Sequence, residues 1–327
     1  PEFEIDGDST RPAASAPANR VDEASVEAEP THELGVEAVV DPLAEAAAPR
    51  AASTYDLDRT LLDAAPHRDA ADLLSSAPGV YVTRGEGDGV AHSIFLRGFD
   101  AEHGQDLELL LDGVPLNLPS HLHGQGYADL GALIPEVVLG VRVIEGVYDP
   151  RQGDFATAGS IDFRLGVPAS ARGVHLAASY GSFDTFRALA MFAPEGEREG
   201  SFVAATYRAS SGFGAQRGGH GGSAIAQWVF GDGNVRVRVL GLLSGARYGM
   251  AGVLRRDDID AGVVDFYGAY ALPTAAPQSG FSLRALASAS VAVLGSRASF
   301  AELGLWVGYA DFRLLENFTG FVETSRV

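Results

Sequence analysis

Residues 93–99 read SIFLRGF, and residues 107–117 read LELLLDGVPLN. Each stretch begins with an apolar run typical of a strand, and each reaches a glycine directly after a charged residue, Arg97 in the first and Asp112 in the second. Glycine permits a close approach of the backbone, and an Asp-Gly pair predicts a tight turn. The two stretches therefore predict a small sheet in this part of the chain.

The surrounding residues predict a compact α+β unit over 51–165. Ala70, Leu73 and Leu74 recur at helical spacing, and Pro78-Gly79 ends the predicted helix. Further strands of the unit are predicted at 79–84, 141–144 and 158–165.

From about residue 173 onward the sequence alternates between apolar and polar positions, as in Val235, Val237 and Val239 against Arg236 and Arg238. Short turns and longer glycine-rich loops alternate between the runs, and aromatic residues recur near their ends, which is typical of an outer-membrane β-barrel. A soluble β-sandwich, whose strands also alternate, is the other reading of this half. Eight strands are predicted, at 173–181, 186–194, 201–210, 223–231, 235–245, 265–273, 281–291 and 300–312.

Composition excludes several classes of protein. The 327 residues carry a formal net charge of −19, which argues against binding nucleic acid. Cysteine is absent, so disulfides, thiolate metal sites and cysteine nucleophiles are excluded. No apolar run reaches the 18 residues of a membrane-spanning helix. The start of the chain shows no signal peptide.

Residues 1–50 predict a flexible arm. The segment is rich in Ala, Pro, Glu and Asp and poor in aromatic residues, so it lacks the apolar surface that would offset the entropy lost on ordering. The apolar patch at 35–40 is an exception that could add a strand to a sheet edge, or could be a chance cluster in a linker.

Five features of the chain, taken in order, resemble the plug domain and the first barrel strands of TonB-dependent outer-membrane receptors. They are DAADLLSSAPGVYV, SIFLRGF, LLLDGVPLN, the long run HGQGYADLGALIPEVVLGVRVIEGVYDPRQGDFATAGSIDF, and the barrel-like strands that follow it. The motifs of the resemblance cover residues 60–165, and the rest of the chain resembles the family only in its general pattern of alternating strands. The resemblance implies an α+β plug domain (51–165) followed by antiparallel transmembrane β-barrel strands (166–327).

The resemblance also implies a function. Receptors of this family import scarce solutes such as siderophores, cobalamin, metal chelates or sugars across the outer membrane, and an inner-membrane TonB-type energy-transducing protein drives them. No enzyme activity and no cofactor are implied. The partner binds a TonB box ahead of the plug, and the best match is Val36, Glu37, Ala38, Val39 and Val40, although the Asp41-Pro42 that follows departs from the family pattern.

Site residues follow from the same resemblance. Arg97, Glu145 and Arg151 match charged positions that hold the plug to the barrel wall; an ion pair within the plug is the alternative. Two apical plug loops match those that face the solute. Their candidate residues are Arg84, Glu86, Asp88, His92, His121, His123, Gln125 and Tyr127.

The histidines have two readings. His121 and His123, with His103 nearby, have a spacing that could ligate a transition metal or a metal chelate. Carboxylates are sparse in their loop, which favours ordinary hydrogen bonding and no metal site. His220 lies in the glycine-rich loop 211–222 and is expected to be solvated.

Eight strands are too few for a plugged barrel. A barrel of about eight strands has room only for side chains, whereas plugged outer-membrane transporters have about 22 strands. A domain of about 100 residues has a radius of gyration near 13 Å and does not fit the smaller tube. We therefore expect residues 166–327 to form an incomplete portion of a 22-stranded barrel.

Two other functions compete with import. The chain could belong to an outer-membrane receptor that binds or senses without transport, which an additional folded signalling domain in the arm would favour. A soluble β-rich enzyme is the third possibility, with Asp106, Glu108 and Asp112 as its available carboxylates. The sequence contains no nucleophile elbow, P-loop or HExxH motif.

Overall fold

The computed structural model describes residues 53–84, 90–121, 124–196, 200–231, 234–270, 278–295, 299–317, 320 and the backbone of 325–326. All of these belong to one compact unit, Asp41–Val327. The arm and its predicted TonB box, Val36–Val40, lie outside the described residues, as do Glu86, Asp88 and His123.

The first part of the described chain, which we call the plug, contains two small sheets. One has the strand order β1-β7-β8-β5-β6 and the other the order β2-β3-β4. β5 and β8 run parallel, and the other neighbours are antiparallel. The strands are β1 (Thr54–Asp58), β2 (Val80–Thr83), β3 (Ser93–Leu96), β4 (Phe99–Asp100), β5 (Leu107–Leu111), β6 (Val114–Pro115), β7 (Val138–Glu145) and β8 (Gly159–Leu165).

Short helices connect these strands. The α-helix α1 (Arg59–Ala64) begins after Asp58, whose side chain accepts a hydrogen bond from the Leu61 amide at 3.0 Å. The predicted helix around Leu73 and Leu74 is a 3-10 helix, Asp72–Ser76, which ends before Gly79 at a φ of +75°. Other 3-10 helices are Leu130–Ala132, Pro135–Val137, Ala169–Ala171 and Ser182–Asp184.

The second part is a single antiparallel sheet, which we call the wall. Each strand pairs with its neighbours in the chain, in the order β16 to β9, and the described residues form an open sheet rather than a closed tube. The strands are β9 (Gly173–Gly181), β10 (Thr185–Ala193), β11 (Phe202–Ser210), β12 (Gly219–Phe230), β13 (Val235–Gly249), β14 (Ser279–Leu294), β15 (Phe300–Glu316) and β16 (Ser325–Arg326).

One predicted wall strand is wrong. Residues 265–270 form turns and loop rather than a strand, and 271–273 lie outside the described residues. The segment belongs to the connection between β13 and β14, which also holds the short helix α2 (Arg256–Asp260). Gly268 donates its amide to the Asp265 carbonyl at 2.8 Å, and the Tyr270 hydroxyl bonds to Asp258. These local bonds fold the segment back on itself.

The wall has two chemically different faces. On β13, Val235 and Val239 are each 45% exposed, whereas Leu240 and Leu242 are buried on the other face. The exposed face carries aliphatic and aromatic side chains, among them Leu176, Tyr180, Phe192, Val203, Tyr207, Leu243, Leu305 and Val307. A contiguous exposed apolar surface of this kind is typical of strands that face lipid.

The buried face of the wall shares one hydrophobic core with the plug. Wall residues such as Leu189, Phe202 and Ile225 belong to the same cluster as plug residues such as Ile134 and Phe163. The plug therefore packs on the inner face of the wall. No helix in the described ranges is long and apolar enough to cross a membrane.

Candidate functional site

The clearest ionic contact between plug and wall joins Glu136 to Arg187. Glu136 lies in the 3-10 helix Pro135–Val137, and Arg187 points inward from β10. The guanidinium donates one hydrogen bond to each carboxylate oxygen, both at 2.8 Å. Burial alone would raise the pKa of Glu136, but the bonds and charge of Arg187 outweigh burial and lower it. Glu136 is therefore ionised at neutral pH.

A second ionic contact lies at the turn between β5 and β6. Arg238 on β13 places Nη1 3.8 Å from Oδ1 of Asp112, whose side chain is only 7% exposed. The side chain of Gln227 on β12 reaches the carbonyl of Leu165 at 3.5 Å. Further along the wall, Arg284 donates to the carbonyl of Leu116. Polar side chains from β10, β12, β13 and β14 thus hold the plug in place.

The predicted wall contacts of Arg97, Glu145 and Arg151 take a different form. Arg97 pairs with Glu145, and Arg151 pairs with Asp149 at 2.5 Å. All four residues belong to the plug, so these pairs correspond to the alternative of an ion pair within the plug, and a role of Arg97, Glu145 and Arg151 in holding the plug to the barrel wall stays a prediction. The bond with Asp149 is the main cause that raises the pKa of Arg151, and Glu302 on β15 has a smaller effect.

The backbone conformation explains why the sequence does not show which arginines contact the wall and which pair within the plug. Arg97 sits in the left-handed region at a φ of +51° and Gly98 follows at +81°, so the turn after β3 directs Arg97 toward Glu145. Sequence patterns do not reveal the contacts of Glu136, Arg187, Arg238 and Arg284, because residues that meet between a plug and a wall have no characteristic spacing along the chain. The only available signal was the alternation of arginine with valine on β13.

Two residues of the first predicted apical loop belong to a buried ionic network. Arg84 donates to Asp69 at 2.5 Å, to Asp72 at 2.9 Å and to Nε2 of His92 at 2.8 Å. Burial opposes ionisation of Asp69, but His92 and Arg84 outweigh it and lower the pKa of Asp69 well below its usual value. Arg84 and His92 are thereby brought together, and both are committed to contacts within the plug.

The second apical loop forms an aromatic cluster with the wall. The rings of His121 and Tyr127 stack at 3.7 Å between centroids, and Phe312 of β15 lies 4.6 Å from His121. His103 lies 5.7 Å from Tyr127, whose hydroxyl accepts a hydrogen bond from the Ala91 amide. Gln125 is exposed beside this cluster. Within the described residues, no three histidines or carboxylates are grouped as metal ligands.

A narrow crevice of about 30 Å³ follows the seam between plug and wall. This volume has room for roughly two water molecules. Asp129 and Gly131 line the crevice on the plug side, and Arg187 and Arg208 line it on the wall side, where the other residues are mostly Gly, Ala and Ser. A solute larger than a few water molecules does not fit in this crevice.

Comparison with known proteins agrees with this architecture. Residues 46–160 match the family model described as TonB-dependent Receptor Plug Domain. The fold resembles the ferric citrate transporter FecA (15% identity, TM-score 0.62, 82% of this chain and 41% of that chain). It also resembles the ferric yersiniabactin uptake receptor FyuA from Yersinia pestis (13%, 0.60, 81% and 42%) and the copper transporter OprC (18%, 0.54, 83% and 39%).

Residues 46–160 therefore match the plug domain of TonB-dependent receptors, and the plug and the wall strands that follow it share their fold with part of these solved structures. The place of the chain is the outer membrane, as the plug family and the apolar outer face of the wall indicate. The chain spans about two fifths of the length of these solved structures.

Proposed function

We propose that the chain is part of a receptor that imports a scarce solute across the outer membrane, driven by a TonB-type energy-transducing protein. One observation carries the proposal: a plug with its own sheets is seated on the inner face of a lipid-facing wall by contacts that can be broken. Among the described residues, its wall contacts include the polar interactions given above and a shared apolar core, and the bidentate Glu136–Arg187 pair is half-buried.

The solute is a small molecule or a metal chelate, such as a siderophore, cobalamin or a sugar. Known structures with this fold are described as taking up ferric citrate, ferric yersiniabactin and copper. Of the predicted solute-facing residues, Gln125 is exposed, and His121 and Tyr127 belong to the neighbouring aromatic cluster. We expect this loop to contact the solute, and we expect no catalytic step.

The energy-transducing partner would bind the arm at Val36–Val40. The sequence VEAVV is a run of apolar residues that can add a strand to a partner's sheet edge. The arm precedes β1, which is the edge strand of the five-stranded plug sheet. Tension on the arm would therefore reach the plug at a strand with a neighbour on one side only.

Growth and uptake experiments test the proposal. The gene that encodes the chain is deleted, and growth is compared under limiting iron, cobalamin and single sugars, together with uptake of the radiolabelled solutes. Import predicts that at least one uptake rate falls and returns with the wild-type gene. Unchanged uptake of every solute, combined with altered gene expression, would favour a sensing receptor instead.

The TonB box is tested with a matched pair of substitutions in the same arm. Val39→Pro removes a backbone donor within the predicted box, and Val21→Pro makes the same change outside it. We expect Val39→Pro to abolish the uptake defined above and Val21→Pro to preserve it, with equal amounts of both variants in the outer membrane. Equal uptake by the two variants would show that Val36–Val40 is not the box.

A further inference from the structure

One row of side chains crosses the exposed apolar face of the wall, which we call the outward face. His220, Arg247, Phe281 and Arg313 lie directly opposite one another on β12, β13, β14 and β15. Positions an even number of residues apart share a face of a strand, so Arg247 lies on the same face as the exposed Leu243. Neighbouring strands are about 4.8 Å apart, so this cationic row is about 14 Å long.

The cationic row lies at the end of the wall from which the long connections leave. Arg247 is near the end of β13 and Phe281 near the start of β14, and residues 250–278 connect these two strands. At the opposite end of the wall, the short segment 231–234 connects β12 to β13. Outer-membrane barrels have short turns on the periplasmic side and longer loops on the cell surface. The row therefore lies on the side of the outer leaflet.

Charge on the outward face is concentrated at this row. Among the described residues of β9 to β15, the charged side chains on the outward face are Arg247, Asp311 and Arg313. From Val235 to Gly245, the outward positions of β13 are Val, Leu and Gly. A charge on the lipid face is costly at the middle of a bilayer and nearly free of cost at its surface. The row therefore marks the level of the polar headgroups.

Phe281 holds the two arginines of the row in place. The guanidinium carbons of Arg247 and Arg313 lie 5.5 Å and 5.6 Å from the centre of its ring. Arg313 also donates two hydrogen bonds to Asp311, at 3.1 Å and 2.7 Å. Arg247 has no carboxylate partner within the described part of the chain. Its planar fork of donors fits the oxygens of a phosphate, and the exposed His220 beside it adds a further donor.

We propose that the cationic row docks the phosphate of an anionic lipid headgroup in the outer leaflet. Arg247 binds the phosphate through its guanidinium, Arg313 adds a second positive charge, and the acyl chains pack on the apolar face below the row. The row continues directly into that apolar face, and the net charge of −19 repels free anions in solution, so a lipid is the occupant that fits. This site goes beyond import and involves neither a solute nor the TonB-type partner.

Binding of a phosphorylated glycolipid tests the proposal. The intact protein is purified in detergent and titrated with lipid A, and native mass spectrometry measures the ratio of lipid-bound to free protein. The same glycolipid without its phosphates is the matched ligand. Arg247→Gln removes the charge and keeps a polar side chain. Arg256→Gln is the matched control, because Arg256 is 84% exposed and pairs with Asp260 in α2, away from the outward face.

We expect Arg247→Gln to weaken binding of lipid A about fivefold, which is the effect of one cation near a membrane surface. Arg313→Gln should also weaken it, which keeps the test valid if Arg247→Gln fails to fold, and Arg256→Gln should leave it unchanged. The glycolipid without phosphates should bind the unmodified protein and Arg247→Gln equally.

Three results would overturn the docking of a lipid phosphate. The first is equal binding of lipid A by the unmodified protein, Arg247→Gln and Arg313→Gln. The second is a loss in Arg247→Gln that is as large for the glycolipid without phosphates. The third is displacement of lipid A by an equal concentration of inorganic phosphate, which would indicate a site for a free anion. No solute or TonB-type partner is present, so these results are independent of the import experiment.

Discussion

Replacing Glu136 by glutamine tests whether the bidentate ion pair holds the plug on the wall. The substitution keeps the shape of the side chain and leaves the Arg187 charge half-buried without its counter-ion. Exposed ion pairs contribute about 0.2–1 kcal/mol, and loss of one partner of a buried pair costs about 3–5 kcal/mol. Glu136 and Arg187 are 28% and 27% exposed, so we expect an intermediate cost of about 2 kcal/mol.

Hydrogen exchange of the peptide that covers 130–138 measures this cost. The segment holds the 3-10 helices on either side of Leu133, and its amides become accessible when the plug lifts from the wall. A cost of about 2 kcal/mol corresponds to exchange about 30-fold faster in Glu136→Gln. Asp311→Asn is the matched control, because it removes an acid from an ion pair in which Arg313 is 71% exposed.

A double-mutant cycle separates the pair from other effects of the substitutions. If Glu136 and Arg187 stabilise the seat through each other, the variant with both Glu136→Gln and Arg187→Gln will lose less than the sum of the single variants. We expect a coupling energy of about 1 kcal/mol or more. Exchange in Glu136→Gln within threefold of the Asp311→Asn control, or additive single effects, would refute the reasoning.

Three further substitutions test the plug core and the wall. Asn117→Ala should lower the free energy of unfolding of the plug by about 4 kcal/mol, because the buried Asn117 side chain makes hydrogen bonds to four backbone groups. Chemical denaturation measures this loss, with Asn234→Ala as the exposed control. An equal loss in both variants would contradict a stabilising role of the Asn117 hydrogen bonds. Gly159→Ala should destabilise the plug by about 2 kcal/mol or more, since Gly159 has a φ of +151° and an added Cβ would collide with the Ile144 carbonyl. Gly173→Ala is the control, because Gly173 also has a positive φ but an added Cβ would meet no atom within 4 Å. The thermal midpoint should therefore fall less in Gly173→Ala than in Gly159→Ala. Leu243→Arg, in the middle of β13, should cost about 2–4 kcal/mol of wall stability in bilayers. Val235→Arg, at the end of the same strand, should cost about 0–1 kcal/mol. Equal costs of the two substitutions in folding titrations would argue against a lipid-facing surface.

The sequence allowed the architecture to be predicted because its signals are local. Asp112-Gly113 forms the turn between β5 and β6, and seven of the eight predicted wall strands coincide with strands of the structure. Alternation on β13 correctly separated Val235 and Val239 from the inward-facing positions. The exception is the predicted strand 265–273, whose described residues 265–270 are held in a loop by hydrogen bonds of Gly268 and Tyr270 that no periodicity reveals.

The contacts between plug and wall could not be predicted, because they depend on how strands far apart in the chain are registered. Arg187 is 51 residues from Glu136, and Arg284 is 168 residues from Leu116. Arg97 and Arg151 were the natural candidates by motif, yet each has a carboxylate closer at hand within the plug. The roles of His121, Gln125 and Tyr127 toward a solute stay a prediction.

Sequential pairing of the wall strands limits how such a protein can vary during evolution. A β-hairpin could be gained or lost without disturbing the pairing of the others, so the circumference of the wall is free to change in steps of two strands. Strands are spaced about 4.8 Å apart, so one added hairpin would shift every later strand by about 10 Å. Between β10 and β14, which hold Arg187 and Arg284, such a shift would separate these arginines from Glu136 and Leu116. Changes in strand number are therefore compatible with a seated plug only outside this interval.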